Sequence, residues 1–257
     1  MNQDLTLSAT LNSDFDRDGF VAINPLFTPE EMTAINAEVA WFLKEGVSKM
    51  PADRVYLEDR DDPTSIKQLQ KLFEYSPFFH SMMFDGPIRR IASAVMGDEA
   101  VPVNMQFFNK PAGIGQPTPP HQDGYYFHLD PPLAVTGWLA LEPVDEENGC
   151  IHYVGGSHRG DGFRPHGFTS VLGFSQGMTD FGTDEDKAGT VACPGGPGTF
   201  LMHHAKTIHW AGPNSSPTRS RRALGFIYYA ARAKVDVAAK ETYQMTLDAR
   251  LKSEARI

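Results

Sequence analysis

The spacing of apolar positions changes character near residue 100. "GFVAINPLF", Gly19 to Phe27, is a short apolar run of strand length. Beyond it, Met32, Ile35, Val39 and Phe42 recur every three or four positions, which gathers them on one helical face. Thr28, Pro29 and Glu31 supply an N-cap, a proline at the first helical position and a capping box, and Gly46 closes the helix. Similar spacing predicts a second helix over 65–76 and a third over 87–96, with Ile88, Ile91 and Val95 inward. From Val101 the runs shorten: "VPVNMQFF", "AVTGWLALEPV", "GCIHYVGG", "GTVACP", "GTFLMHH" and "ALGFIYYAA", divided by Gly and Pro clusters. That rhythm predicts a β-sandwich or barrel. Residues 237–251 return to a helical pattern.

Two segments fit neither pattern. Residues 1–14 read as a loose tail. Residues 159–187 are Gly-rich, weakly periodic and too long for an ordinary connection, which predicts a functional loop or lid. No repeat or linker divides the rest, so 15–257 is expected to form one domain.

Composition narrows the function. At 257 residues and 41 % apolar content the chain can bury a sizeable core. A net charge of −9 argues against a nucleic-acid partner and a basic membrane-surface helix. No run approaches the ~18 apolar residues of a membrane span. The N-terminal stretch lacks the basic and apolar regions of a secretory signal. Cys150 and Cys193 make no disulfide framework, and the sequon at Asn214 reads as accidental. A reduced, cytoplasmic, soluble protein is expected.

Chemistry enters with nine histidines. His80 reads as structural, and His158 as an anchor of the "GGSH" turn. "PPHQDGYYFHLDPP" holds two H-x-D triplets, His121/Asp123 and His128/Asp130. Residues two apart share a strand face, so either triplet can offer an imidazole and a carboxylate together. A distant third His would complete two histidines and one carboxylate on one face of an octahedral metal, the ligand set of non-haem Fe(II) oxygenases. "FLMHHAKTIHWAGPNSSPTRSRRALGF" offers His203, His204 and His209; the first two have opposite pleat and cannot both face one metal from a regular strand.

Taken in order, "DGFVAINPLFTPEEM", "FFNKP", "HQD", "GWLALEPVDEENGCIHYVGGSH" and "IHWAGPNSSPTRSRRAL" resemble the phytanoyl-CoA dioxygenase family of Fe(II)/2-oxoglutarate oxygenases, from about Gly19 to Ala231. The resemblance implies an α+β fold: a double-stranded β-helix (jelly-roll, cupin-like) with N-terminal helices packed on one sheet. It selects His121, Asp123 and His209 as Fe(II) ligands and leaves His128 and Asp130 on a loop edge. It makes His204 a non-ligating strand residue and Asn214 a turn-fixing one. Lys67, Gln106 and Trp138 align with cosubstrate contacts. The family's carboxylate-binding Arg falls by direct count on Ser220; one inserted residue at Pro217 moves it to Arg221, with Arg219 and Arg222 as competitors. Trp210-Ala211 replaces a common Gly-Ser, removing a hydroxyl that can bond the cosubstrate.

The implied reaction consumes 2-oxoglutarate and O2, releases succinate and CO2, and hydroxylates an unactivated carbon. Related halogenases lack the carboxylate that Asp123 supplies, so halogenation is disfavoured. Tyr125, Tyr126, Phe127 and His128 are expected to wall the substrate pocket, with Arg164 and His166 as candidate anion contacts. The alternatives are a cupin-like metal-binding protein, or another metalloenzyme without 2-oxoglutarate turnover. The other metalloenzyme has no need for Arg221, and the intact ligand set argues against a catalytically silent binding protein.

Overall fold

The structure is a computed structural model and describes residues 9–59, 61–169 and 176–253. Its framework runs α1 (Ala9–Asp18), β1 (Phe20–Ile23), α2 (Pro29–Trp41), β2 (Val55–Leu57), β3 (Ile66–Gln70), α3 (Pro77–Phe84), α4 (Pro87–Met96) and β4 (Ala100–Lys110). Next come β5 (Thr118–His121), the short α5 (Gly124–Phe127), β6 (Leu129–Asp130), β7 (Ala134–Ala140) and β8 (Ile151–Val154). The chain continues through β9 (His166–Phe168), β10 (Gln176–Met178), α6 (Asp184–Gly189), β11 (Thr190–Cys193), β12 (Phe200–His204) and β13 (His209–Ala211). It closes with β14 (Arg221–Ala230), β15 (Lys234–Val235) and α7 (Val237–Ser253).

A seven-stranded antiparallel sheet, ordered β1-β12-β7-β14-β4-β3-β2, faces a four-stranded sheet ordered β11-β8-β13-β5. This is the expected jelly roll. Strand alternation divides the large sheet into two chemically distinct faces. Phe107, Leu139, Phe200, Leu224 and Phe226 face outward into a core shared with Met32, Ile35, Ile88 and Ile91 of the helices. Trp138, Leu201 and Ala223 face inward, against Ile151, Tyr153 and Cys193 of the small sheet. Gly225 also faces inward, and a Cβ there would lie 2.5 Å from the Phe108 ring. Phe226 is fully buried on the helix side. Phe226→Ala should cost about 3–5 kcal/mol of stability, from lost burial plus an unfilled cavity; urea unfolding measures it.

The α2 start carries the anticipated box: Glu31 N–H donates to Thr28 Oγ1 and Thr28 N–H to Glu31 Oε2. Two expectations need correction. The 65–76 segment is no helix. It is β3, then a left-handed turn at Lys71 (φ 62°), then a 3-10 turn over Leu72–Glu74. Leu69 and Leu72 mimic helical spacing because a strand residue and a turn residue both reach the core. The expected tail over 1–14 was also drawn too long: Ala9–Asp18 is helical, and Leu11 and Phe15, four apart, pack on the core. Residues 1–8 lie outside the described residues.

The 159–187 segment carries more structure than its pattern suggested: a β9–β10 hairpin and the capped helix α6. Residues 170–175 within it lie outside the described residues. Among the described residues no helix is long and apolar enough to cross a membrane.

Candidate active site

His121 ends β5 and His209 opens β13; the two strands pair with these residues opposite each other. Asp123 follows β5 by two residues, at the entry to α5. The three side chains converge with one ligand atom each, all within 4.8 Å of one another. His121 Nε2 lies 3.2 Å and His209 Nε2 3.7 Å from Asp123 Oδ1. Each imidazole Nδ1 is tied to a carbonyl, His121 to Pro119 O at 2.8 Å and His209 to Thr207 O at 3.0 Å. Donating from Nδ1 fixes the tautomer and leaves both Nε2 lone pairs aimed at Asp123, the usual arrangement of metal-ligating histidines.

Asp123 is braced from behind. Its Oδ2 accepts Thr136 Oγ1 at 2.5 Å and meets His203 Nε2 at 3.2 Å, and His203 Nδ1 lies 2.9 Å from the Tyr153 hydroxyl. Burial raises the Asp123 carboxyl, but its imidazole neighbours His209, His121 and His203 outweigh it, so the group sits well below the usual carboxylate range. Burial, then the neighbouring His121 and His203, hold His209 well below an ordinary imidazole and keep it neutral. Two imidazoles presenting Nε2 and one carboxylate, with one face left open, fit Fe(II). Sequence reasoning missed Thr136 and offered His203 only as a candidate ligand, and no pattern in the chain marks either as a partner of Asp123.

The open face gives onto a cavity of about 340 Å³. Arg221 lines its far end, 5 % exposed, with its guanidinium 5.4 Å over the Trp138 ring and its Nε without a hydrogen-bond partner. Burial lowers its pKa to about 10. The competing arginines are already engaged. Arg222 pairs with Glu142 at 2.9 Å, and Arg219, ahead of the strand, pairs with Asp145 at 2.9 Å and with Glu147. Gln106 and Trp138 oppose Gly225 from either side, between Arg221 and Asp123. Lys67 also lines the cavity, as the residue skipped where β2 pairs Tyr56 with Gln68 and Leu57 with Ile66. It holds Glu58 at 3.2 Å. Lys110 stands opposite Arg221 in register, 4 % exposed, and donates to Gln116 O and Gly212 O at 2.7 and 2.6 Å. The "NKP" phrase marked its strand but not its inward direction.

The remaining candidates sort by direction. Tyr126 and Phe127 line the cavity. Tyr125 instead stacks on His166, 4.1 Å between rings. His128 takes a left-handed turn (φ 51°) toward Tyr243, and Asp130 pairs with Lys234 across β6 and β15, so the second triplet points elsewhere. His204 faces Phe15 and His158. His80 stacks on Phe84 at 4.3 Å. The "GGSH" turn is pinned by Ser157, whose hydroxyl donates to Val154 O and accepts Ile208 N–H, and by His158, which hydrogen-bonds the backbone of Asp16. Arg164 is no free anion contact: it binds Asp186 at 2.6 Å and Asp180 at 3.2 Å. Gln122, between the two ligands of the triplet, latches this segment. Its Oε1 accepts Arg164 N–H at 2.8 Å and its backbone N–H donates to His166 Nε2 at 3.3 Å. Asn214 fixes its turn as expected, donating to Lys110 O and Arg219 O.

Comparison with known proteins agrees with this geometry. The family model "Phytanoyl-CoA dioxygenase (PhyH)" matches residues 15–223. The peroxisomal phytanoyl-CoA dioxygenase of Mus musculus is 24 % identical over 226 residues, 79 % of this chain but only 62 % of the mouse protein. The ectoine dioxygenase of Sphingopyxis alaskensis is 24 % identical over 241 residues, 89 % of this chain and 77 % of that one. The crystal structure of EctD from S. alaskensis, solved with 2-oxoglutarate and 5-hydroxyectoine, superposes with a TM-score of 0.71 at 21 % identity, covering 90 % of this chain and 78 % of that one. The 2-oxoglutarate-dependent carbocyclase SnoK from nogalamycin biosynthesis gives 0.67 at 23 % identity, covering 90 % and 87 %. The chain therefore belongs to the phytanoyl-CoA dioxygenase family of Fe(II)/2-oxoglutarate-dependent oxygenases.

Proposed function

We propose that the protein is a dioxygenase that hydroxylates an unactivated carbon of a small molecule and releases succinate and CO2. One observation carries the reading. A His–Asp–His face and a buried guanidinium, its Nε without a hydrogen-bond partner among the described residues, share one cavity, the two ends that a chelating 2-oxo acid with a distal carboxylate requires. In this reading His121, Asp123 and His209 hold Fe(II), and Arg221 grips the distal carboxylate as a planar, charge-assisted donor. Trp138 and Gln106 flank the cosubstrate, and Lys67 stands at its side. Bound Fe(II) with 2-oxoglutarate supplies the power to activate O2 against a C–H bond; the protein supplies position and a dry pocket. Thr136 and His203 hold the second oxygen of Asp123, so one oxygen stays directed at the metal face. The intact carboxylate favours hydroxylation over halide transfer. Described residues of the 159–187 segment are tied to the flank of the site, Arg164 through Gln122 and Gln176 through the bond that its carbonyl accepts from the Tyr126 hydroxyl. Succinate release from the Fe(II)-loaded protein with 2-oxoglutarate, screened across a metabolite library, tests the reading; no succinate with any member sinks it.

Lys110 adds a pH signature. Burial, then the charges of Arg221 and Lys67, push its pKa down to about 6. In the free protein the amine is thus mostly neutral above that pH. A carboxylate arriving beside it favours the ammonium, so binding takes up a proton. 2-Oxoglutarate affinity should be flat below pH 6 and should fall as pH rises above it, by up to about tenfold per unit. Calorimetry in buffers of different ionisation enthalpy should show that uptake, and Lys110→Met should remove it. An affinity constant from pH 6 to 8 would refute the coupling.

A further inference from the structure

Beside the metal face and the Arg221 end, the cavity has a third region, on β3. Gln68 and Gln70 occupy alternate positions there, opposite Phe108 and Gln106 of β4, while Leu69 between them points into the helix-side core. Both glutamines line the cavity, and among the described residues neither amide has a protein hydrogen-bond partner. Adjacent strands lie about 4.8 Å apart, so β3, two strands from β14, sits roughly 10 Å to the side of the Arg221 column. The cosubstrate reading centres 2-oxoglutarate on Arg221 of β14 and Trp138 of β7, with Gln106 and Lys67 at its flank, which leaves the Gln68 and Gln70 positions of β3 for the second reactant.

Charge in the cavity is almost fully committed. Lys67 is paired with Glu58, Lys110 donates to two carbonyls, and Arg221 belongs to the cosubstrate. The single carboxylate in the lining, Asp123, belongs to the metal face. An anionic group on the β3 side would find no free cation, and a cationic group no free carboxylate; either would be buried unpaired. An amide offers donor and acceptor together, the complement of a hydroxyl or another amide. Phe127 and Ile227 provide apolar surface in the same cavity. Its volume lies near the lower end of ligand pockets, about 300–1,000 Å³, and is shared with the cosubstrate.

We propose that Gln68 and Gln70 select a small, uncharged substrate bearing hydroxyl or amide groups, and disfavour carboxylates, amines and CoA thioesters. The inference rests on the 2-oxoglutarate reading, because it assigns Arg221 to the cosubstrate. Anaerobic calorimetry on the full chain with Fe(II) tests both in sequence. 2-Oxoglutarate is titrated first, then methyl glucoside and myo-inositol as neutral probes, and glucuronate, glucosamine and acetyl-CoA as charged ones. A neutral probe should bind, with the charged ones at least about tenfold weaker, the usual consequence of an unpaired polar group. Gln68→Lys should shift preference toward glucuronate over methyl glucoside by a similar factor, a reversal that mere loss of packing does not produce. A charged probe binding tightest, no neutral probe binding, or an unchanged ranking in Gln68→Lys overturns this inference alone. Failure of 2-oxoglutarate to bind overturns the cosubstrate reading together with it.

Discussion

His121→Ala, Asp123→Ala and His209→Ala are each expected to abolish turnover and to weaken Fe(II) binding severely. Each removes one of three donors from a face that has no spare: the ligand atoms lie within 4.8 Å of one another, and among the described residues they form the one such cluster. The bracing shell predicts a graded series behind them. Thr136→Val and His203→Phe leave all three ligands but free the second oxygen of Asp123, and losses of this kind typically cost about 10–100-fold in metal affinity or activity. His128→Ala and His204→Ala should keep iron, since His128 points toward Tyr243 and His204 toward Phe15 and His158. Equilibrium dialysis of Fe(II) with succinate assays on all seven variants orders them. If His204→Ala lost iron and His209→Ala retained it, the assignment of the distal ligand would be wrong.

The same contacts explain what could be read from the chain and what could not. Long, regular elements were legible because their periodicity is a direct image of burial: α2 and α4 face the core with Met32, Ile35, Ile88 and Ile91, and β4, β7, β12 and β14 alternate between two cores. The strands that carry the proposed metal face were harder. β5 is "TPPH", two prolines in four residues, and β13 has three residues, so neither carries a pattern. Their candidate ligands came from the family resemblance rather than from strand propensity. β3 was misread because Leu69 and Leu72 imitate a helix across a left-handed turn. That error hid the strand between β4 and β2 that holds Lys67, Gln68 and Gln70, three cavity residues. Pairing across sequence distance was the other blind spot. Nothing near residue 136 or 203 announces that both touch Asp123, and nothing near Arg164 announces Asp180 and Asp186.

Arg221→Ala is expected to raise the Michaelis constant for 2-oxoglutarate by about tenfold to a hundredfold, equivalent to roughly 1.5–3 kcal/mol for a lost charge-assisted contact. Three arginines lie within four residues, and their surroundings rather than their sequence separate them. Arg222 is on β14 but on the opposite pleat, where Glu142 accepts from both its backbone and its guanidinium. Arg219 lies before the strand, with Asp145 and Glu147 on its guanidinium. Both charges are spent on carboxylates outside the cavity, so Ala at either should leave the constant nearly unchanged. Arg221 alone of the three is buried among cavity residues, without an acidic partner at salt-bridge distance, over the face of Trp138. A buried cation in that state is costly unless a ligand neutralises it. Arg221→Lys should rescue only part of the loss, because an ammonium cannot present the paired donors of a guanidinium to one carboxylate. Steady-state kinetics in 2-oxoglutarate on the four variants decide the matter. A larger effect from Arg222→Ala or Arg219→Ala than from Arg221→Ala would remove Arg221 from the cosubstrate site and reject the one-residue insertion placed at Pro217.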